Sequence, residues 1–203
     1  MGSAIDPETA VGVLPDEPLP IRLMNTVWAD RHGVHDVLLR PRDLVAWLAG
    51  TGLATDVRAT EADLRRAREL RDALRRLAAL LTADVRPAAG SPIGDLPLAV
   101  AAVNTAAERG LTSPRLRLHD GELRRDDGTG RPPVAAALSS LAVAAIELFT
   151  GESGSVLRAC LAPGCVLYFV KDHPRREWCS TACGNRARAA RYYRRHRDDP
   201  ARR

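Results

Sequence analysis

The chain holds four cysteines, Cys160, Cys165, Cys179 and Cys183, all within one short stretch near its C-terminal end. Written as Cys-x4-Cys-x13-Cys-x3-Cys, they form two close pairs divided by a short segment. Thiolates in that pattern can close a tetrahedral site around one zinc ion, each pair forming a knuckle. With all four positions filled by sulfur, such a zinc is structural, one per chain, and leaves no coordination site for water or substrate. So short a stretch buries little apolar surface, so metal binding would supply much of its folding energy. The rival use of four cysteines is two disulfides, which needs an oxidising compartment. Residues 1–23 carry Asp6, Glu8, Asp16 and Glu17 without a continuous apolar run, unlike a signal peptide or anchor. The apolar stretch Val134 to Phe149 is short for a membrane span. The expectation is a cytoplasmic zinc protein with no membrane contact.

Arginine almost wholly replaces lysine, Lys171 being the only one, so arginine number alone carries little weight. Placement carries more. Residues 156–203 hold 12 basic and 4 acidic residues, about +8, which leaves about −3 on the rest of a chain whose net charge is +5. A near-neutral body with a basic end is the asymmetry expected of a nucleic-acid binder. After Cys183 the chain reads as a helix carrying Arg186, Arg188, Arg191, Arg194 and Arg195, with small alanines between. Such a helix has no wide apolar face to bury. Its guanidinium forks suit phosphates and guanine edges, so these five arginines are the candidate contacts to double-stranded DNA. A zinc with four thiolates carries a formal charge of −2, so Arg186 is equally suited to offsetting the site itself.

The elements that position these residues follow from pattern. The sequence predicts a mainly α fold (α+β): a helical N-terminal domain with one small β-hairpin, then a treble-clef-like four-cysteine finger. Residues 1–19, rich in Pro, Asp and Glu, read as a mobile segment. Residues 20–152 form the regulatory or sensor domain, 156–197 the finger with its basic helix, and 198–203 a tail. Pro41 opens a helix over 42–49. Thr60 caps a long one reaching Thr82, with Leu64, Leu70, Leu74, Leu77 and Leu81 inward and the charged residues outward. Asp95 caps a helix over 96–109 closed by Gly110, Asp120-Gly121 turns a hairpin, and Pro132-Pro133 open an Ala-rich helix ended by Gly151. A Gly-Ser joint, 151–155, leads to the finger. There, Pro163-Gly164 turns the first knuckle, 166–170 is a strand, and Tyr168, Phe169 and Trp178 build a small core.

Trp178-Cys-Ser-Thr-Ala-Cys183-Gly184-Asn185-Arg186 resembles the CGNR zinc finger, and the first cysteine pair with Arg188 and Arg191 fits it too. Upstream, Leu23-Met-Asn25-Thr26-Val27, Pro41-Arg-Asp43-Leu44, Leu70-Arg71-Asp-Ala-Leu74 and Val103-Asn104 are similar, in order, to the bacterial helical domain accompanying this finger. That domain is labelled a stress-induced transcription regulator. The resemblance spans about residues 20–197 and implies transcription regulation through DNA binding by the finger. One departure is that three residues, where many relatives have four, separate the last two cysteines, which would tighten that knuckle.

Asn25, Arg71 and Asn104 are polar residues on otherwise apolar segments. Converging, they would line a pocket for a small-molecule effector; apart, they would cap helices and satisfy buried backbone. A homodimer would add avidity to one small finger. The alternative to a DNA-binding regulator is a finger that binds protein or RNA without DNA readout. A nuclease is disfavoured, because only Asp172 and His173 near the finger could serve a catalytic metal. Replacing Cys183 by serine is expected to release zinc and unfold the finger while sparing the helical domain.

Overall fold

A computed structural model describes residues 14–109, 115–126 and 132–197. The first helix, α1 (Leu19–Met24), drops Ile21, Leu23 and Met24 into the core. A hairpin follows, β1 (Val27–Asp30) and β2 (Gly33–Asp36), pairing Trp28 with His35. Next come α2 (Pro41–Gly50) and α3 (Glu61–Thr82), a 3-10 turn at Pro87–Ala89, and α4 (Leu96–Arg109). The second hairpin is β3 (Arg115–His119) with β4 (Glu122–Asp126). Then α5 (Pro133–Thr150) and a short α6 (Glu152–Ser155) lead into β5 (Leu157–Ala159), β6 (Tyr168–Val170) and α7 (Thr181–Arg197). Among the described residues, three two-stranded sheets therefore decorate a helical body.

Helix starts follow their sequence signals. The Thr60 hydroxyl accepts from the Asp63 N–H at 3.2 Å, and the Asp63 carboxylate accepts from the Thr60 N–H at 3.0 Å, a reciprocal cap at the head of α3. Thr60→Ala should cost about 1 kcal/mol, readable as a lower urea midpoint with an unchanged slope. Asp95 accepts from the Leu98 N–H at 2.9 Å, starting α4. Asp120 and Gly121 both take positive φ, +50° and +80°, the two-residue turn that matches strand twist. Gly110 as a helix stop, the tail 198–203 and the mobile segment as far as position 13 lie outside the described residues.

The core departs from the expected leucine stripe in two places. Leu64, Leu70 and Leu74 are buried, but Leu81 is 47% exposed and Leu77 half-buried. The stripe runs instead through Ala67, Arg71 and Ala78, and Arg75, expected outside with the other charged residues, lies within the core beside Arg71. The helix α5 is long and apolar enough, by length and composition alone, to cross a membrane. Here Val134, Ala137, Leu138, Leu141, Ala142, Ala145 and Leu148 face the core from it, the stripe of a central bundle helix.

The finger does not hang from a free joint. Leu157 and Tyr168 belong to the same buried cluster as Ile21, Trp47, Leu74 and Leu141. Of residues 14–18, expected to be part of a mobile lead, Pro15, Asp16 and Pro18 are exposed, but Glu17 is packed, only 6% exposed.

Candidate metal centre and nucleic-acid interface

The first knuckle is shaped by its turn. The Cys165 N–H donates to the Ala162 carbonyl at 2.9 Å and Gly164 takes φ +73°. The Cys160 N–H donates to the Leu167 carbonyl at 2.9 Å, holding the loop against its own return. The strand expected over 166–170 is shorter, Tyr168–Val170, and pairs with β5. The second knuckle is built on a helix cap. Ser180 precedes α7, and its hydroxyl accepts from the Cys183 N–H at 3.2 Å. Cys179 and Cys183 thus flank a capping residue, one on each side of the helix start.

All four sulfurs are buried and lie within 4.8 Å of one another. Cys165 and Cys179 Sγ are 3.8 Å apart, Cys179 and Cys183 Sγ 3.4 Å. A tetrahedron with Zn–S near 2.3 Å has edges of about 3.8 Å, so the donor set fits zinc. The shorter edge belongs to the pair with the three-residue spacing. Crowded thiols divide their protons unevenly. Cys160 is lowered to about 7, with the Cys165 thiol as the main cause. Cys183 is lowered too, chiefly by Cys160, while Cys165 and Cys179 are pushed up, chiefly by Cys160. No metal-free state accommodates four thiolates together, and a divalent cation removes the conflict. Among the described residues no other group of His, Cys, Asp and Glu could hold a metal. His173 is exposed, its Nδ1 accepting from the Arg175 N–H at 3.1 Å.

Two acid–arginine pairs brace the knuckles. Arg86 is held by both carboxylate oxygens of Asp84, at 2.7 and 2.8 Å, and its Nη1 donates to the Cys160 and Cys165 carbonyls at 2.8 and 2.6 Å. Burial pushes the Asp84 carboxyl up, but the hydrogen bonds and charge of Arg86 outweigh it and hold the group below its usual range. Arg176 is held by Glu17 at 2.6 Å and reaches the Cys179 carbonyl at 3.4 Å. Burial is the main influence on Glu17 and leaves its pKa raised, against the pull of the Val170 N–H and Arg176. Both acids lie in the sequence before the finger: the body grips the first knuckle directly through Arg86, and at the second Glu17 orients the finger's own Arg176. Neither pair carries a sequence signal beyond its charge.

The remaining candidates fall as follows. Arg186 Nη2 donates to Cys183 Sγ at 3.1 Å, on an exposed stretch of α7. Arg188 is exposed and donates to Asn185 Oδ1 at 2.5 Å. Arg191, Arg194 and Arg195 are exposed, and Ala187 is the buried contact of this helix with the finger core. Arg188, Arg191 and Arg195 recur at helical spacing and share one stripe. Tyr192 stacks on His196, centroids 3.9 Å apart. Phe169 and Trp178 pack in the finger core as expected, whereas Tyr168 turns into the helical core.

Asn25, Arg71 and Asn104 are not brought together. Asn25 is buried and pairs twice with the Tyr168 backbone: its Nδ2 donates to the carbonyl at 2.9 Å and its Oδ1 accepts from the N–H at 3.0 Å. Arg71 is buried against Asp36 and Asp72. Asn104 is exposed on α4. A groove of about 720 Å³ between α3, α4 and α5, with Leu70, Leu98, Ala102 and Leu138 in its walls, includes none of the three.

No curated protein matches the chain. Family profiles match nearly all of the described structure: the CGNR zinc finger over residues 157–196, and over 17–152 the ABATE family, described as "Putative stress-induced transcription regulator". The first match begins at Glu17, the residue that braces the second knuckle. The chain therefore belongs to the ABATE family and ends in a CGNR zinc finger whose four cysteines form its metal site.

Proposed function

We propose that this protein is a cytoplasmic, zinc-dependent transcription regulator that presents α7 to double-stranded DNA, with residues 20–152 as its regulatory part and 156–197 as its reader. The observation that carries this reading is the exposure of Arg186, Arg188, Arg191, Arg194 and Arg195 on one helix whose first turn holds a zinc ligand. Zinc fixes the base of the helix; the arginines project from it into solvent. Its role is structural, and the activity it supports is binding, not catalysis. A homodimer would double the phosphate contacts of a single small finger.

Fluorescence anisotropy of the zinc-loaded protein with a mixed duplex pool tests the reading. Binding should weaken steeply with salt and vanish on chelation. Replacing Arg191 and Arg195 together by alanine should flatten the logarithmic salt slope by about 2 while leaving zinc content unchanged. Absence of DNA binding at low salt would move the assignment to a finger for protein or RNA.

A further inference from the structure

The β3–β4 hairpin projects an apolar face. Its register sets Leu118 across from Leu123, and strand alternation puts Leu116 on the same side, with Arg125 opposite it at the base of the hairpin. The three leucines are 71%, 72% and 69% exposed for Leu116, Leu118 and Leu123. A two-stranded hairpin standing alone is marginal in water, and a bare leucine face adds to the cost.

The groove between α3, α4 and α5 is the matching hollow. Leu70 and Leu138, both buried, lie in it, and Leu98 stands in its wall 65% exposed. That wall is set in advance: Ser91 Oγ donates to the Asp72 carbonyl at 2.7 Å and Arg76 Nε to the Gly94 carbonyl at 2.8 Å, which pins the segment around Ile93 to α3. The lining charges balance, Arg66 and Arg109 against Glu69 and Asp72, so the groove suits an apolar occupant and calls for no ion. The hairpin is inserted in the chain between Arg109 and Pro132, and both of these line the groove. The exposure of its leucines shows that the chain's own hairpin does not fill it.

We infer that the β3–β4 hairpin of one copy seats its leucines in the α3–α4–α5 groove of a second copy, and that a two-fold axis makes the exchange reciprocal. Each copy carries one projection and one hollow, so a second copy fills both at once, and reciprocity closes the assembly at two. Area decides for two seats. At about 30 Å² per CH₂, three leucines about seven-tenths bare offer roughly 270 Å², and each seat hides as much again of the groove. Two seats hide on the order of 1,100 Å², just past the roughly 1,000 Å² that a stable pairing needs, and one seat falls well short. The inference gives the homodimer of the regulatory reading its surface. Its use there rests on that reading, but the pairing itself needs no DNA.

Sedimentation of the full zinc-loaded chain without DNA should therefore show twice the chain mass at micromolar concentration. Leu118→Asp on the hairpin and Leu98→Asp in the groove should each leave only monomer there. Both residues are exposed, so zinc content and helical circular dichroism should not change. A photoreactive diazirine side chain placed at 118, in a mixture of isotope-labelled and unlabelled chains, should link the hairpin of one copy to α3, α4 or α5 of the other. A wild type that stays monomeric up to millimolar concentration would overturn the inference. So would a dimer undiminished in Leu98→Asp, or links that join hairpin to hairpin or stay within one chain. Because no DNA is present, failure of the DNA-binding reading leaves each of these outcomes as it stands.

Discussion

Replacing Cys183 by serine should release zinc and lower the melting temperature of the entire chain, in one transition seen equally by zinc content and by helical circular dichroism. The scale follows from the metal. Zinc binding to small fingers contributes about 10–16 kcal/mol, while a whole domain is stable by only about 5–15 kcal/mol. The spread of the damage follows from the packing. Tyr168 and Leu157 are fully buried in the core of the helical body, and the carbonyls of both first-knuckle ligands are fixed by Arg86. A collapsing finger therefore withdraws side chains from the bundle. Calorimetry decides the matter: an upper transition left at the wild-type temperature would show that finger and bundle fold independently. Undiminished zinc in the variant would refute the four-cysteine site. Treating the finger as a separate module, as its sequence invites, predicts the opposite pattern.

Arg75→Ala should destabilise the protein by about 3–5 kcal/mol, since it strips three buried carbonyls of a charged donor. For a chain of this length that corresponds to roughly 10 °C in melting temperature. Arg75→Met separates packing from hydrogen bonding, because it fills much of the same space and supplies no donor. Most of the loss should persist in it, and zinc should pass faster to a competing chelator, since the Val166 carbonyl adjoins Cys165. A methionine variant as stable as wild type would mean that these carbonyls find other partners and that the arginine is not a strut.

Local rules were legible in the chain because they act through neighbours in sequence. The caps at Thr60 and Asp95, the Asp120-Gly121 turn and the cysteine pattern each need only a few consecutive residues, and the fold contains them all. What escaped was long-range. Asn25 looked like part of a pocket, yet it serves as the backbone partner of Tyr168, 143 residues away. Arg71 looked like part of the same pocket and Arg75 looked outward by charge, but the helical period places both on the buried stripe, and their partners are scattered over α1, β2 and the finger. The β1–β2 hairpin also went unread, because Val27-Trp-Ala-Asp30 and Gly33-Val-His-Asp36 are short and only partly apolar. Glu17 sits in a segment whose proline and acids resemble a disordered lead, and partners far along the chain, the Arg176 guanidinium and the Val170 N–H, hold its carboxylate in place. Of the zinc site, the ligands were readable; the residues that hold their backbone were not.

The pairing of Asn25 with both backbone groups of Tyr168 bears on inheritance and on engineering. It makes the finger a non-portable part. Moved alone onto another scaffold, it would expose Tyr168 and leave a strand edge without its amide. A lineage could exchange fingers between such proteins only by carrying the asparagine, the Asp84–Arg86 pair and Glu17 along with them. Recombination breakpoints near residue 155 should accordingly be selected against, and chimeras joined there should fold poorly even with every cysteine in place.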